Sequence, residues 1–309
     1  MRARTMVTAL WLTTLAATVT AADETRTNAI THRFLAVDDG TLTLHYVDQV
    51  EPAKSWRVKF GRYCMDMQLI GSNRVALAVD SGYREFDLAD GKERKVVKGP
   101  GGLMHAMERL QDGRTVLGGR DIPSLGHGVM ILDAADKVVK QFTLPGVQWI
   151  RHLRSTVRGT LIIAAVNTVL ECDLDGKIIW SAAVPGNNFK AVELDEQRVL
   201  VSCGPGGRTL RTLDHAGKVL ATLDGKDLKE GNFVGFQRLA NGNLVVANWL
   251  GHGSEHNWLG LFEYDAAGAV VWSYGVEKSS FVEVIVLDGL DLKMLHAQQV
   301  NGVLRTVGP

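Results

Sequence analysis

The sequence predicts an all-β protein, a six-bladed β-propeller with four-stranded antiparallel blades. Its main indication is a unit of strand, polar turn, strand, loop, strand ending in aspartate, tight turn and strand, which recurs along the chain. The aspartates recur at spacings of 39 to 51 residues, and repeats of about 40–50 residues with four strands are typical of propeller blades. The strand-end aspartates are Asp48, Asp87, Asp133, Asp173, Asp214 and Asp265.

The residues within each unit alternate between apolar and polar with a period of two and are rich in valine, isoleucine and leucine. This alternation indicates strands and excludes a solenoid of helix pairs, which has a similar repeat length. Glycine at 33 of 309 positions agrees with many tight turns. The six units cover residues 34–59, 64–98, 105–143, 151–182, 189–222 and 233–273.

The first unit lacks an opening strand, and an unassigned strand-like segment follows the last unit at residues 281–287. We expect this C-terminal strand to complete the first blade and close the ring, which would leave no exposed sheet edge. The predicted propeller therefore covers residues 34–290 as one domain. Residues 291–309 form a C-terminal tail, which either packs across a blade or is disordered.

Residues 1–22 have the pattern of a signal peptide. Arg2 and Arg4 precede an apolar run at 6–17, and small residues follow at 19–21. An uncleaved membrane anchor is the alternative, although the run is short for a membrane span. The sequence thus predicts a periplasmic or secreted protein that is not inserted in the membrane after the signal is removed.

The three cysteines could form one disulfide, but buried free thiols are the favoured interpretation.

The charge balance argues against binding to nucleic acid or to an anionic membrane surface. The chain has 34 basic and 34 acidic residues, so its formal net charge is zero. The sequence also lacks the GxSxG, Walker A and HExxH motifs. A small-molecule ligand is the expected partner, and a protein partner remains an alternative.

Propeller geometry places the candidate site at one end of the central channel. The loops between the second and third strands of each blade, which include the longest loops, lie on the same face as the starts of the inner strands. The candidates at these starts are Asp66, His105, Arg151, His152, Lys190 and Glu283, and the sixth-unit loop adds Asn248, Trp249 and His252. Arginine and lysine favour an anionic or sugar-like ligand. His105 is the candidate catalytic residue because imidazole titrates near neutral pH.

A metal site is not predicted. His252 and His256 lie in one loop, and His127 lies in a loop of the third unit. The third and sixth blades would be opposite each other, and no helix places His252 and His256 on one face. We therefore interpret the sixth-unit loop as contacting an organic ligand, with Trp249 as a stacking surface.

Two segments carry a resemblance to a known family. Residues 172–180 (CDLDGKIIW) and 264–272 (YDAAGAVVW) resemble the tryptophan-docking repeat of PQQ-like propellers. The mature chain is similar to exported six-bladed PQQ-like or arylsulfotransferase-like propellers, most visibly at 237–243 and 247–253. The resemblance implies that each repeat tryptophan packs between neighbouring blades. It also implies that His105 occupies the place of a blade-opening histidine, whereas Met65 and Asp66 stand where related blades have His-Asp.

No cofactor is predicted. The PQQ-dependent dehydrogenases of this type have eight blades, a far longer chain and a pair of adjacent cysteines, which this chain lacks. The leading functional hypothesis is binding of a small polar or anionic ligand, including a carbohydrate, at the channel mouth. The alternatives are a pore-centred hydrolase, lyase or sulfotransferase that uses His105, and a protein-interaction scaffold.

Overall fold

The computed structural model describes residues 30–203, 207–226, 228, 230–252, 259–298 and 300–307. The predicted signal peptide and most of the sixth-unit loop, including His256, lie outside the described residues. Within them, 24 strands, numbered in chain order, form the fold together with short 3-10 helices at Pro52–Lys54 and Val300–Gly302. The all-β propeller is confirmed, with sheets of antiparallel strands arranged around the axis of the predicted channel.

The strands form five blades. The closing sheet contains β22 (Phe281–Val286), β1 (Arg33–Asp38), β2 (Thr43–Asp48) and β3 (Trp56–Lys59). The second sheet contains β4 (Cys64–Gly71), β5 (Arg74–Val79), β6 (Gly82–Asp87) and β7 (Glu93–Val97). The third sheet contains β8 (Leu103–Arg109), β9 (Thr115–Ile122), β10 (Gly126–Leu132) and β11 (Val138–Phe142). The double sheet contains β12 (Gln148–Ser155), β13 (Leu161–Cys172), β14 (Ile178–Asp195), β15 (Arg198–Cys203), β16 (Thr209–Asp214) and β17 (Val219–Asp224). The last sheet contains β18 (Asn232–Arg238), β19 (Leu244–Trp249), β20 (Leu261–Tyr264) and β21 (Val270–Tyr274).

The prediction of six four-stranded blades is wrong, because the fourth and fifth units share one six-stranded sheet. The 18-residue strand β14 runs from the end of the fourth unit into the start of the fifth without an intervening loop. Its first part pairs with β13, as at Thr168 opposite Ala183, and its second part pairs with β15, as at Val192 opposite Leu200. The strand is therefore unbroken where the sequence predicts a boundary between blades, although its pairing with β13 shifts register there.

The predicted closing strand is confirmed. Strand β22 pairs antiparallel with β1, with Val284 opposite Ala36 and Ile285 opposite Leu35. All six residues of β22 are buried, so the closure removes an apolar strand from water as well as pairing the edge of β1.

The repeated aspartates have a common structural role. In the double sheet, Oδ1 of Asp173 accepts hydrogen bonds from the backbone N–H groups of Asp175 and Lys177, each at 2.8 Å. The same carboxylate turn recurs at Asp133 and Asp265. An aspartate at the end of a strand thus fixes the tight turn that follows in these units. Asp48 instead accepts from the N–H groups of Val50 and Glu51, ahead of a 3-10 helix.

Aromatic residues on outer strands pack against the turn of the next unit. The ring of Trp56 covers Gly91, whose φ is +68° and whose Cβ, if present, would lie 2.7 Å from the ring. Trp180 stacks on His215 with ring centroids 4.1 Å apart, and Trp272 packs edge-on against Phe34 at 5.6 Å. The contact of Trp272 joins the last sheet to the closing sheet, which agrees with the tryptophan-docking resemblance. Trp180 and His215 join neighbouring units within the double sheet.

The C-terminal tail packs against the inner strands. Strands β23 (His296–Gln298) and β24 (Leu304–Thr306) form a hairpin at the end of the channel opposite the long loops. Leu295 bridges to Ile70 of the second sheet, and Val303 bridges to Arg238 of the last sheet. Nε2 of Gln68 also donates to the carbonyl of His296 at 3.3 Å. The hairpin therefore covers the lower end of the channel and leaves the long-loop end as the candidate mouth.

A buried histidine ties the two ends of the closing sheet to the last sheet. Nδ1 of His32 lies 2.6 Å from a carboxylate oxygen of Asp288, and its Nε2 lies 2.8 Å from Glu263. Burial alone would lower the pKa of His32, but the hydrogen bonds to these two carboxylates outweigh it and raise the pKa to about 9. His32 is therefore protonated at neutral pH and bridges two negative groups.

We expect the His32→Gln variant to lose about 1–2 kcal/mol of unfolding free energy at pH 6, and much less at pH 9.5. A pKa raised from 6.5 to about 9 corresponds to about 3 kcal/mol, which screening of the partly exposed Asp288 reduces. This stabilisation is fully present below about pH 6.5 and is lost as the pH rises through 9. Urea unfolding of both proteins at the two pH values measures it. A deficit that does not change with pH would contradict the protonated bridge.

Candidate functional site

Three inner strands carry β-bulges at the channel mouth. The pairing of β8, β12 and β14 with the neighbouring strand skips His105, Arg151 and Phe189, respectively. A second shift in β12 skips Trp149, which has a φ of +51°. Bulges redirect side chains, and positive φ is unusual for a bulky residue. The backbone therefore departs from regular β-structure where these four residues collect.

Arginine and aromatic side chains form the wall of this mouth. The guanidinium carbon of Arg151 lies 3.8 Å from the ring centroid of Trp149 and 5.4 Å from that of Phe189. Arg120 lies 4.9 Å from the same Trp149 ring. Burial, and then the charge of Arg120, lower the pKa of Arg151 to about 10. Within the described part of the chain, Arg151 has no carboxylate partner and its Nε is unpaired.

His105 lies in the same cluster and is only 4% exposed. Its ring centroid is 6.1 Å from that of Trp149, and both ring nitrogens lack a hydrogen-bond partner among the described residues. Burial, followed by the charges of Arg151 and Arg120, lowers its pKa to about 3. The imidazole is therefore neutral at physiological pH, with one donor and one acceptor free to bind a ligand. Its predicted catalytic role stays a prediction.

Two further predicted residues lie at the mouth, next to a carboxylate that the sequence did not indicate. Phe189 contacts Trp249 with ring centroids 6.1 Å apart, and Trp249 contacts His252 at 4.9 Å. Oδ2 of Asp39 accepts from Nε1 of Trp249 at 3.1 Å and is 2.6 Å from Nδ1 of His252. The ring of His252 also contacts that of Tyr63, and the two ring centroids are 4.9 Å apart. The mouth thus extends from Arg151 across two aromatic rings to His252.

An arginine–carboxylate pair fills part of the channel interior. The guanidinium of Arg154 binds both oxygens of Asp66, at 2.6 and 2.8 Å, and donates to three backbone carbonyls. Its Nε is 3.6 Å from Glu108. Burial raises the pKa of Glu108 to about 7, although the charge of Arg154 opposes this rise. The pair links β12 to β4, across the third sheet, and holds the inner strands together.

A second pair joins the double sheet to the closing sheet. Nζ of Lys190 lies 2.9 and 3.0 Å from the two carboxylate oxygens of Glu283. Gly235 makes room for this carboxylate, because a Cβ at that position would lie 2.7 Å from Oε1 of Glu283. His152 is 1% exposed beside these pairs, and burial, followed by the charges of Arg154 and Lys190, lowers its pKa well below the usual range. Among the predicted interior residues, Lys190 and Glu283 therefore pair with each other and Asp66 pairs with Arg154. Both ring nitrogens of His152 lack a hydrogen-bond partner among the described residues.

The interior also contains a candidate metal-ligating group. One ligand atom from each of Asp66, His152 and Glu283 lies within 4.8 Å of the other two. However, Asp66 is bound to Arg154 and Glu283 is bound to Lys190. A divalent cation would add to two buried positive charges, so these residues do not suit a metal ion. The absence of a metal from the predicted site remains a prediction.

The remaining predicted residue supports a loop. Nδ2 of Asn248 donates to the carbonyl of Glu230 at 3.1 Å, and Asn248 packs against Gly231, whose φ is +106°. It is 3% exposed and shapes the connection into β18. No described residue belongs to a helix that is long and apolar enough to cross a membrane.

The comparisons with known proteins agree on the fold. A crystal structure of a protein of unknown function from Bacteroides caccae is 18% identical, with a TM-score of 0.64, over 82% of this chain and 98% of its own. The WD40 β-propeller domain of Doa1 is 13% identical, with a TM-score of 0.58, over 92% and 94% of the two chains. Streptogramin B lyase is 8% identical, with a TM-score of 0.54, over 82% and 87%. These likenesses show a β-propeller fold alone. No family model and no curated protein matches the chain.

Proposed function

We propose that the protein binds a small anion that carries a flat ring, at the channel mouth formed by Arg151, Trp149 and Phe189. The observation that carries this proposal is the guanidinium of Arg151, which is stacked on aromatic rings without a carboxylate partner in the described residues. Stacking occupies the faces of a guanidinium and leaves its N–H edge free for an oxyanion.

The electrostatics of the mouth support an anion rather than a cation. Arg151 and Arg120 share the ring of Trp149, and the charge of Arg120, which also pairs with Asp121, disfavours the charged form of Arg151. An anion bound between them would relieve this repulsion. His105, which is neutral and unpaired beside them, can donate one hydrogen bond to the same anion. The rings of Trp149 and Phe189 supply the surface for an apolar or sugar ring.

Replacement of Arg151 by methionine is expected to weaken the binding of cinnamate, a flat aryl carboxylate, by about 10- to 100-fold. This range corresponds to the loss of charge-assisted hydrogen bonds worth about 1.5–3 kcal/mol, while the apolar stem is retained. Isothermal titration calorimetry with cinnamate and with neutral cinnamamide measures the effect. Arg198→Met serves as a control, since Arg198 pairs with Asp195 on an outer turn. Equal binding of acid and amide, or no effect of Arg151→Met, would contradict the proposal.

A pore-centred enzyme, whether a hydrolase, lyase or sulfotransferase, is the second candidate. It is favoured by the position of His105 beside two guanidinium groups that could stabilise a developing oxyanion. However, a pKa of about 3 makes His105 a weak base and keeps it in the neutral form, which is a poor general acid at neutral pH. Binding therefore has better support than catalysis by His105. A scaffold role has less support, since the mouth contains unpaired buried polar groups rather than an apolar rim.

We further propose that the chain is an exported member of the PQQ-like or arylsulfotransferase-like propellers and that it works without a cofactor. The contacts of Trp180 and Trp272 with the following units support the affiliation. Cys64 and Cys172 are buried free thiols in different sheets, which supports a role without PQQ.

A further inference from the structure

We propose that the ligand carries a hydroxyl donor at the end opposite its anionic group, and that Nε2 of His252 accepts a hydrogen bond from this hydroxyl. This inference rests on the proposed function, because it identifies the class of anion as a hydroxylated aryl acid. It depends on the pair formed by His252 and Asp39 at the side of the mouth away from Arg151.

Asp39 determines which nitrogen of His252 carries the proton. A carboxylate can only accept, so Nδ1 of His252 must donate to Oδ2 of Asp39 across their 2.6 Å separation. In a neutral imidazole this leaves a lone pair on Nε2. Among the described residues, Nε2 has no hydrogen-bond partner, so the neutral ring presents an acceptor at this nitrogen.

The imidazole is held in place although its side chain is 55% exposed. Asp39 is itself rigid, since its side chain is fully buried and its backbone N–H donates to the carbonyl of Ser280 at 2.9 Å. Trp249 donates to the same oxygen of Asp39. The ring centroids of Trp249 and His252 are 4.9 Å apart, and the angle between the ring planes is 73°. A buried carboxylate and two aromatic neighbours thus orient an exposed imidazole, and such preorganisation lowers the cost of binding a ligand.

The surface between Arg151 and His252 suits an aromatic ring. Phe189 lies 5.4 Å from the guanidinium carbon of Arg151 and 6.1 Å from the ring of Trp249, which in turn contacts His252. The two polar ends of the mouth are therefore connected by apolar rings. A ligand with an anionic group, a flat body and a hydroxyl at the far end matches these three regions in order.

The experiment compares cinnamate, 4-hydroxycinnamate and 4-methoxycinnamate by isothermal titration calorimetry. The hydroxyl of 4-hydroxycinnamate can donate to Nε2, whereas the methoxy group can only accept. We expect the hydroxyl compound to bind about 5- to 10-fold more tightly than cinnamate, as one well-placed hydrogen bond provides, and the methoxy compound to gain nothing.

Two variants test whether this preference depends on the pair. His252→Phe keeps a ring beside Trp249 and Tyr63 but removes Nε2, so the ratio of 4-hydroxycinnamate to cinnamate affinity should fall to about one. In Asp39→Asn, the amide can donate to Nδ1, which moves the proton to Nε2. The ratio of 4-hydroxy- to 4-methoxycinnamate affinity should then fall. His215→Phe, at an outer turn, is the control, and thermal melting checks that each variant is folded.

The outcomes separate this inference from the proposed function. If cinnamate binding depends on Arg151 but the hydroxyl adds nothing, the inference is wrong and the anion site stands. If the preference for the hydroxyl persists in His252→Phe, the inference is also wrong. If none of the three acids binds, both proposals are overturned. Loss of the hydroxyl preference in both variants, measured as the ratio of affinities within each variant, supports the inference.

Discussion

Replacing Arg154 by methionine is expected to cost about 3–5 kcal/mol of unfolding free energy, because it leaves buried carboxyl groups without their cation. The side chain of Asp66 is 0% exposed, and both of its oxygens bind the guanidinium of Arg154. Glu108 lies on the other side of Arg154 and is also fully buried. Two carboxyl groups would therefore have to be protonated or exposed to water in the variant.

Arg154 also satisfies backbone groups that no methionine can reach. It donates to the carbonyls of Met67, Met107 and Leu153, at 2.8 to 3.0 Å. These carbonyls belong to three different inner strands, so the loss affects the packing of the second, third and double sheets at once. Each buried acceptor left unpaired adds about 1–3 kcal/mol to the loss of unfolding free energy, and local rearrangement recovers part of this loss.

Urea unfolding at neutral pH measures the effect, with Arg198→Met as the matched control. Arg198 pairs with Asp195 at an exposed turn, where an ion pair contributes about 0–1 kcal/mol. A loss below about 1 kcal/mol for Arg154→Met would mean that water enters the channel and solvates Asp66. The combined variant Arg154→Met, Asp66→Leu should recover part of the stability, because it removes the unpaired charge.

The sequence predicts the propeller well but not the number of sheets. The strand-end aspartates form the same turn in successive units, and β22 pairs with β1 as its alternation indicates. Residues 183–188 contain proline, glycine and two asparagines, which are typical of a loop. They nevertheless continue β14, because β13 pairs with Ala183 and Asn187 on the two sides of a register shift. Pairing between distant segments thus decides whether two units merge, and local propensity cannot show it.

The candidate site could be predicted only in part, for a related reason. Blade register places the starts of the inner strands, and therefore His105 and Arg151, at one face. A strand with strict period-two alternation would separate Arg151 and His152 onto opposite faces, but the bulge in β12 breaks this alternation. Trp149 and Phe189 lie at bulges of the same kind, which the sequence does not reveal. Asp39 reaches His252 only through ring closure, from the other end of the chain.

Trp272→Ala is expected to cost about 3–5 kcal/mol of unfolding free energy, as large-to-small changes of fully buried aromatic residues do. Trp272 is 0% exposed and lies where the last sheet meets the closing sheet. Its ring contacts those of Phe34 and His32 at 5.6 and 4.9 Å, and Nε1 donates to Gln49 at 3.2 Å. Alanine would leave a cavity at the junction that completes the ring and would remove a donor from Gln49.

Trp180 provides an internal comparison, because both tryptophans follow the same Asp-x-x-Gly turn by four residues. Trp180 is only partly buried, stacks on His215 and donates to Glu171 at 2.7 Å. Trp180→Ala should therefore cost about 1–2 kcal/mol, the value of a half-exposed stack and one hydrogen bond to a charged group. Urea unfolding of both variants measures the difference. Equal losses would mean that the two junctions contribute alike, whereas a larger loss at Trp272 shows that the junction joining the chain ends depends most on its docking tryptophan.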